Sequence, residues 1–351
     1  MINRKYALLA ATTAATLALT TSCGSNNGGS GSLEGRQLVF VNFGSDSLVA
    51  AKAAWLDPFS KDTGVRFATD SPSDPAKVKA MVEAGNTTWD IIDLDTASGS
   101  QGCGTLYEKR TAEIDISHIE PEYLSDECGV PIMLQTLALV YNADKFGDNP
   151  PTSITDFLNT AEYPGKRITF NYAVGGTEGL LLADGTDPDS LYPLHLDRAA
   201  KVVKALGRDL TLLPSLAAQS EAVESGDFAM CWCYLGRLAN SADRGAELGV
   251  VWQNAWSAWD MLYAIKGSKS PETQTRFLNY VATPAAQMAF TEHLPYGPTT
   301  PGADPQLPEG LAKWLLQNNL ARAGTPSIQD VSWWNQNADK GFAAWTEMTV
   351  G

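Results

Sequence analysis

Two hydrophobic periods take turns along this chain. Short apolar runs with strand character lie at 37–41, 65–68, 90–94, 137–141, 168–171, 228–234, 249–252 and 261–265. Between them, apolar residues recur at three- and four-residue spacing, which predicts helices at 48–62, 75–84, 197–206 and 215–225. Gly64 and Gly85 follow the first two helices, where a left-handed residue ends a helix without strain. The last third is mainly helical, with helices expected at 271–281, 284–292, 309–321 and 328–348. Strands alternating with helices argue for a mostly parallel sheet covered by helices on both faces. The pattern is that of two α/β units and a helical C-terminal part. In open α/β sheets the ligand crevice lies beyond the carboxyl ends of the strands. Two such units facing each other form a cleft that closes by hinge motion.

Composition narrows the function. The chain has 351 residues, 44% of them hydrophobic, enough for a sizeable packed core and unlike a disordered chain. No apolar run reaches the roughly 18–20 residues of a spanning helix, so a polytopic membrane protein is excluded. The formal net charge is −15. Without clustered Lys and Arg to neutralise phosphates, nucleic acid is not an expected partner. Enzyme chemistry is also sparse. His118, His195 and His293 stand in no metal spacing and beside no nucleophile motif, and no P-loop, G-x-S-x-G or G-x-G-x-x-G helix opening is present. No cofactor or metal is expected, and the reading is of a non-enzyme.

The first residues read as an address. Asn3, Arg4 and Lys5 precede an apolar stretch at 6–19, then Thr20, Thr21, Ser22 and Cys23. The pattern resembles a bacterial lipoprotein signal, with 1–22 removed and Cys23 acylated. An ordinary secretory signal is the alternative. Residues 23–35, with the run GSNNGGSGS, then form a flexible tether. An exported chain sits where disulfides persist. A Cys103–Cys128 bridge is expected, contributing roughly 3 kcal/mol by constraining the unfolded chain. Cys231 and Cys233 share one face of a strand. They read as two core thiols, with a bridge between them as the lesser reading.

Several motifs, in order, resemble bacterial solute-binding proteins of ABC importers, on the branch that binds spermidine and putrescine. They are FSKDTGVRF at 59–67, KAMVEAGNTTWD at 79–90, GVPIMLQTLALVYNADK at 129–145, IKGSKSPETQTRFLNYVA at 265–282 and LPYGPT at 294–299. The resemblance implies an α/β, two-lobed type II periplasmic-binding-protein fold with a central cleft and crossover strands. Lobe 1 would comprise 36–139 plus 261–306, and lobe 2 would comprise 140–260 plus 307–351. It implies a monomer at the membrane surface, held by its lipid anchor, periplasmic or extracytoplasmic, that passes a small amine to permease subunits. Family members that carry ferric iron use adjacent tyrosines, and this chain has none.

A polyamine needs carboxylates for its ammonium groups and aromatic faces for its methylenes, each cation–π contact being worth ~0.5–2 kcal/mol. By resemblance the cleft residues are Phe43, Asp46, Asp95, Tyr172, Glu178, Trp232, Trp256, Trp259, Asp260 and Tyr296. Asp260 lies between Trp259 and Met261 at a strand entrance, where a carboxylate is costly to bury without a partner. Trp256 is expected on a loop facing the cleft. Trp232 should point away from Cys231 and Cys233. Trp333, Trp334 and Trp345 read as helix packing. Arg237 complicates a purely cationic ligand, because a guanidinium in the cleft would favour a carboxylate-bearing guest such as an amino acid or opine. A secreted α/β hydrolase is the reading from another class, and it would need a nucleophile beside one of the histidines.

Overall fold

The computed structural model of the protein describes residues 32–350. The expected leader at 1–22, the acylated Cys23 and the tether as far as 31 lie outside the described residues. Among the described residues no helix is long and apolar enough to cross a membrane.

Nine strands form one continuous sheet: β1 (Gln37–Val41), β2 (Arg66–Asp70), β3 (Ile91–Asp95), β4 (Val130–Asn142), β5 (Arg167–Phe170), β6 (Leu210–Leu213), β7 (Met230–Tyr234), β8 (Leu248–Ala264) and β9 (Ser327–Ile328). Their order is β2-β1-β3-β8-β4-β7-β5-β6, with β9 on β8. β1, β2 and β3 are mutually parallel, as are β5, β6 and β7. β4 and β8 run antiparallel to each other, β4 is antiparallel to β7 and β8 to β3, while the short β9 is parallel to β8. Among the described residues β4 and β8 are the longest strands, with 13 and 17 residues. One end of β8 pairs with β3 and the other reaches Asn142 at the end of β4. The two-lobed α/β architecture with crossing strands is therefore present.

The runs at 249–252 and 261–265, expected as separate strands, are parts of the single strand β8. A loop is expected after the run at 249–252, presenting Trp256 to the cleft, but Gln253 and Asn254 continue the strand. They form an irregularity within it, where Asn254 takes φ 60° and the pairing with β4 shifts register. Trp256 accordingly lies on a strand and not on a loop. The helix expected at 309–321 is broken into Glu309–Ala312, the single turn Leu316–Asn318 and Leu320–Ala323. Asn318 and Asn319 donate their side-chain amides to the carbonyls of Ala312, Lys313 and Leu315, which competes with the helical ladder.

Helix starts follow local chemistry. Asp74 caps Pro75–Glu83 by accepting from Ala76 and Lys77, and Ser215 caps Leu216–Glu224 through Ala218. In the first lobe Leu38, Phe40, Trp55, Phe59, Phe277 and Phe290 are buried together, with Trp55 stacked on Phe290 at 4.4 Å. Each such side chain stabilises the fold by ~1.5–3 kcal/mol. Cys103 and Cys128 are bonded, with their Cα atoms 5.6 Å apart. The side chains of Cys231 and Cys233 lie against each other on one face of β7, both fully buried with Phe228 and Leu238.

Candidate functional site

The site grows out of strand alternation. On β3, Ile91, Asp93 and Asp95 share one face. The antiparallel register of β8 sets Asp260 directly opposite Asp95. On the other side of β8, β4 brings Met133 opposite Asp260, and the Gln135 side chain donates to Asp260 Oδ2. Asp93 and Asp260 are each 1% exposed. Burial pushes the Asp93 carboxyl up to about 8. Burial, and then the neighbouring Asp93 and Asp95, hold Asp260 well above the usual carboxylate range. Both groups resist ionisation because removal from water costs more than the nearby Arg237 returns. Asp95 differs in having three donors. It caps Thr96–Ser100, accepting from the backbone N–H groups of Ala97 at 2.9 Å and Ser98 at 3.1 Å. It also accepts from the Tyr172 hydroxyl at 2.5 Å.

The second lobe contributes the cation. β7 leads straight into the helix Leu235–Asp243, whose first turn carries Arg237. The residue is 1% exposed. Its Nη2 reaches the carbonyl of Gly44, 3.5 Å away in the turn after β1. Nε and Nη1 have no hydrogen-bond partner among the described residues. Tyr296 lies beside it, 2% exposed, its hydroxyl also unpartnered. Gly236 makes this approach possible, since a Cβ there would come within 2.4 Å of the Tyr296 ring. Burial raises the phenols of Tyr172, Tyr234 and Tyr296 above their ordinary value, so all three remain hydroxyl donors.

Contacts from both lobes meet here. Tyr172, at the end of β5, touches Asp95 and, at 2.8 Å, the Ser98 hydroxyl. Arg244 pairs with Asp46 at 3.5 Å. The buried guanidinium of Arg237 acts on the buried carboxyl groups of Asp93 and Asp260, with Asp95 and the phenols of Tyr234 and Tyr296 close by.

Of the residues expected in the cleft, Asp95, Asp260, Tyr172 and Tyr296 come together with Arg237. Phe43 and Asp46 lie in and after the turn that Arg237 touches, Phe43 half-buried against the core and Asp46 beside Arg244. The others are elsewhere. Trp259 leaves the opposite face of β8 from Asp260 and packs on Tyr123 at 5.3 Å. Adjacent strand residues cannot share a face. Trp232 does face away from Cys231 and Cys233, but the helix Ala173–Ala183 covers it. Its indole donates to the Gly175 carbonyl at 2.8 Å. Trp256 packs beneath the same segment, against Gly175, whose φ of 79° kinks the helix start. Glu178, expected in a turn, sits in that helix. It accepts from Gly175 N–H at 2.7 Å, Tyr192 at 2.7 Å and Trp334 at 2.8 Å. With these donors satisfied, its work is to pin the C-terminal helix Val331–Val350 to the second lobe.

Sequence reasoning missed Asp93, Gln135 and Tyr234. The alternation in IIDLD was the available signal for Asp93, because it stands two residues before Asp95. Among the described residues no histidine side chain bonds a serine, threonine or cysteine. His118 lies 3.9 Å from Asp115, His195 precedes the helix Leu196–Leu206 and His293 ends Pro284–His293. A separate cavity of about 390 Å³ on the other face of the crossing strands, lined by Leu134, Thr136, Ser257 and Trp314, shares Gly236 and Tyr296 with this region but none of its charges.

Comparison with known proteins shows the family to which the chain belongs. A GABA-binding protein of Pseudomonas aeruginosa is 27% identical over 324 residues, which cover 89% of this chain and 91% of the relative. The putrescine-binding periplasmic protein SpuD of P. aeruginosa is 22% identical over 284 residues, 73% of this chain and 77% of its own. Among solved structures, the binding protein AgtB of Agrobacterium tumefaciens R10, in complex with agropinic acid, is similar with a TM-score of 0.80. It is 28% identical and covers 90% of this chain and 99% of its own. The Atu4243 GABA receptor is similar to the same degree, at 0.80 and 28%, over 89% of this chain and 97% of its own. The family model described as bacterial extracellular solute-binding protein matches residues 54–318, and the chain belongs to that family.

Proposed function

We propose that this binding protein of an ABC importer captures a short zwitterion, a molecule with one ammonium and one carboxylate joined by a few methylenes. The ammonium is held by Asp93, Asp95 and Asp260, and the carboxylate by Arg237. One observation carries this reading: a fully buried guanidinium with two unpartnered nitrogens lies near enough to Asp93 and Asp260 to act on both carboxyl groups. An isolated buried charge is costly unless a partner completes it. A guest carboxylate would do so bidentately. The relative that binds GABA supports the same ligand class.

A diamine is the second reading, favoured by three acids against one cation. Its second ammonium would meet Arg237, a repulsion on the order of a few kcal/mol at close range. The lobes in this reading are 36–139 plus 261–306 and 140–260 plus 307–351, hinged where β4 and β8 cross. Cys23 holds the protein to the membrane through its lipid, and the monomer presents the closed form to the permease.

A thermal-shift screen tests the ligand. GABA at about 1,000 times its Kd should stabilise the protein by about 4 kcal/mol, a clear rise in Tm. Putrescine should shift Tm much less at equal concentration. A rise with putrescine and none with GABA or any other ω-amino acid would refute the zwitterion.

A further inference from the structure

We infer that capture of the guest's ammonium displaces a proton shared by Asp93 and Asp260, so that binding is linked to proton release. The inference deepens the proposed function and rests on it in one respect, that the guest carries an ammonium.

The geometry is specific. Asp95 stands opposite Asp260 in the register of the two adjacent strands, so Asp93, two residues away, lies diagonally across from Asp260 on the same face, and both are fully buried. Two carboxylates side by side out of water repel, and each ionised form is costly there, so one of the pair keeps a proton. Asp93 Oδ1 and Asp260 Oδ1 have no donor from any other described residue. The one neutral donor is the Gln135 amide on Asp260 Oδ2.

The surroundings of the pair come from every element packed on it. β3 adds Asp95, and the helix Leu235–Asp243 adds Arg237. β7 supplies Tyr234, the segment after Pro284–His293 supplies Tyr296, and the end of β5 supplies Tyr172. Arg237 is the one cation named among the groups acting on the pair, and it lies within 4 Å of no carboxylate among the described residues. The phenols are raised, so they do not ionise in the neutral range. The empty site therefore keeps a proton where two adjacent anions would repel. The direction of the shifts on both acids agrees with this arrangement.

An arriving ammonium brings a positive charge and three N–H donors. Its charge offsets one carboxylate and its donors can serve both, so the proton is no longer needed between them. The proton leaves to buffer, the two carboxylates remain and no covalent bond changes. The guest's own groups titrate near 4 and above 10, outside the window concerned.

Two measurements test this. In the first, GABA and putrescine are titrated calorimetrically into the mature protein at pH 6.5 in buffers of different ionisation enthalpy. Whichever ammonium guest binds should release close to one proton. Its Kd should weaken up to about tenfold per pH unit as pH falls from 7.5 to 5.5. Asp93→Asn should lose the proton release and flatten that slope, which separates the pair from the three histidines. Buffer-independent heats with a flat Kd would overturn the inference.

The second measurement needs no guest. Infrared spectra of the ligand-free protein at pH 7 should show a protonated carboxyl band that is absent from Asp93→Asn. Its absence from the unsubstituted protein would overturn the inference even if neither guest bound, whereas its presence with no binding would indict the choice of ligand alone.

Discussion

With Arg237 replaced by methionine, GABA should bind about 30- to 1,000-fold more weakly, since truncating one member of a desolvated charge pair costs about 2–5 kcal/mol. The chain length and burial of methionine keep the space filled. The same variant should gain affinity for putrescine, because the charge that repels its second ammonium is gone. Arg237→Lys should fall between the two, keeping the charge but losing the planar fork that matches a carboxylate. The ligand-free variant should not be less stable than the parent. Nε and Nη1 have no partner to lose, and removing an unpaired buried charge relieves its desolvation. Calorimetric Kd values for both ligands and the ligand-free Tm check all of this together. Unchanged GABA binding in Arg237→Met would place the guest's carboxylate elsewhere.

The second large effect sets stability against function. Asp93→Asn should raise the Tm of the ligand-free protein at pH 7.5 by about 2–5 °C while weakening amine capture by at least about tenfold. The sign follows from linkage. The unfolded chain releases the Asp93 proton near the ordinary aspartate value of 3.8, whereas the folded chain keeps it until about 8. Between these values the folded state binds more protons, so stability falls as pH rises. Asparagine cannot ionise, and the variant should lose that part of the pH dependence between pH 4 and 8. Thermal melts across this range check the slope. A steeper loss of stability with pH in Asp93→Asn than in the parent would contradict the burial argument.

Much of the scaffold was legible because it depends on local patterns. Strand alternation, the stop at Gly64 and the cap at Asp74 are short-range signals, and so is the direction of Trp232 away from Cys231 and Cys233. What lies over a strand face is not local. Trp232 and Trp256 belong to a face that the helix Ala173–Ala183 covers, and that helix is held by Glu178 reaching Trp334 across 156 residues of sequence. The continuity of β8 through the Asn254 irregularity was hidden because the runs at 249–252 and 261–265 each read as a complete strand. Asp93 was missed because its partner, Asp260, lies on a strand far along the chain and enters only through the β3–β8 register. Trp259 shows the converse. Its neighbour's place in the cluster excludes it, by the same alternation that the motif resemblance overlooked.

A charge-deletion series measures the main idea in one experiment. GABA, butylamine and butyrate share one carbon chain and differ only in which charged end they carry, and putrescine replaces the carboxylate with a second ammonium. In calorimetric titrations at pH 7.5, GABA should bind at least about 100-fold more tightly than each of the other three. Putrescine or butylamine binding as tightly as GABA would show that Arg237 receives no carboxylate, and the proposed pairing of opposite charges across the lobes would be wrong.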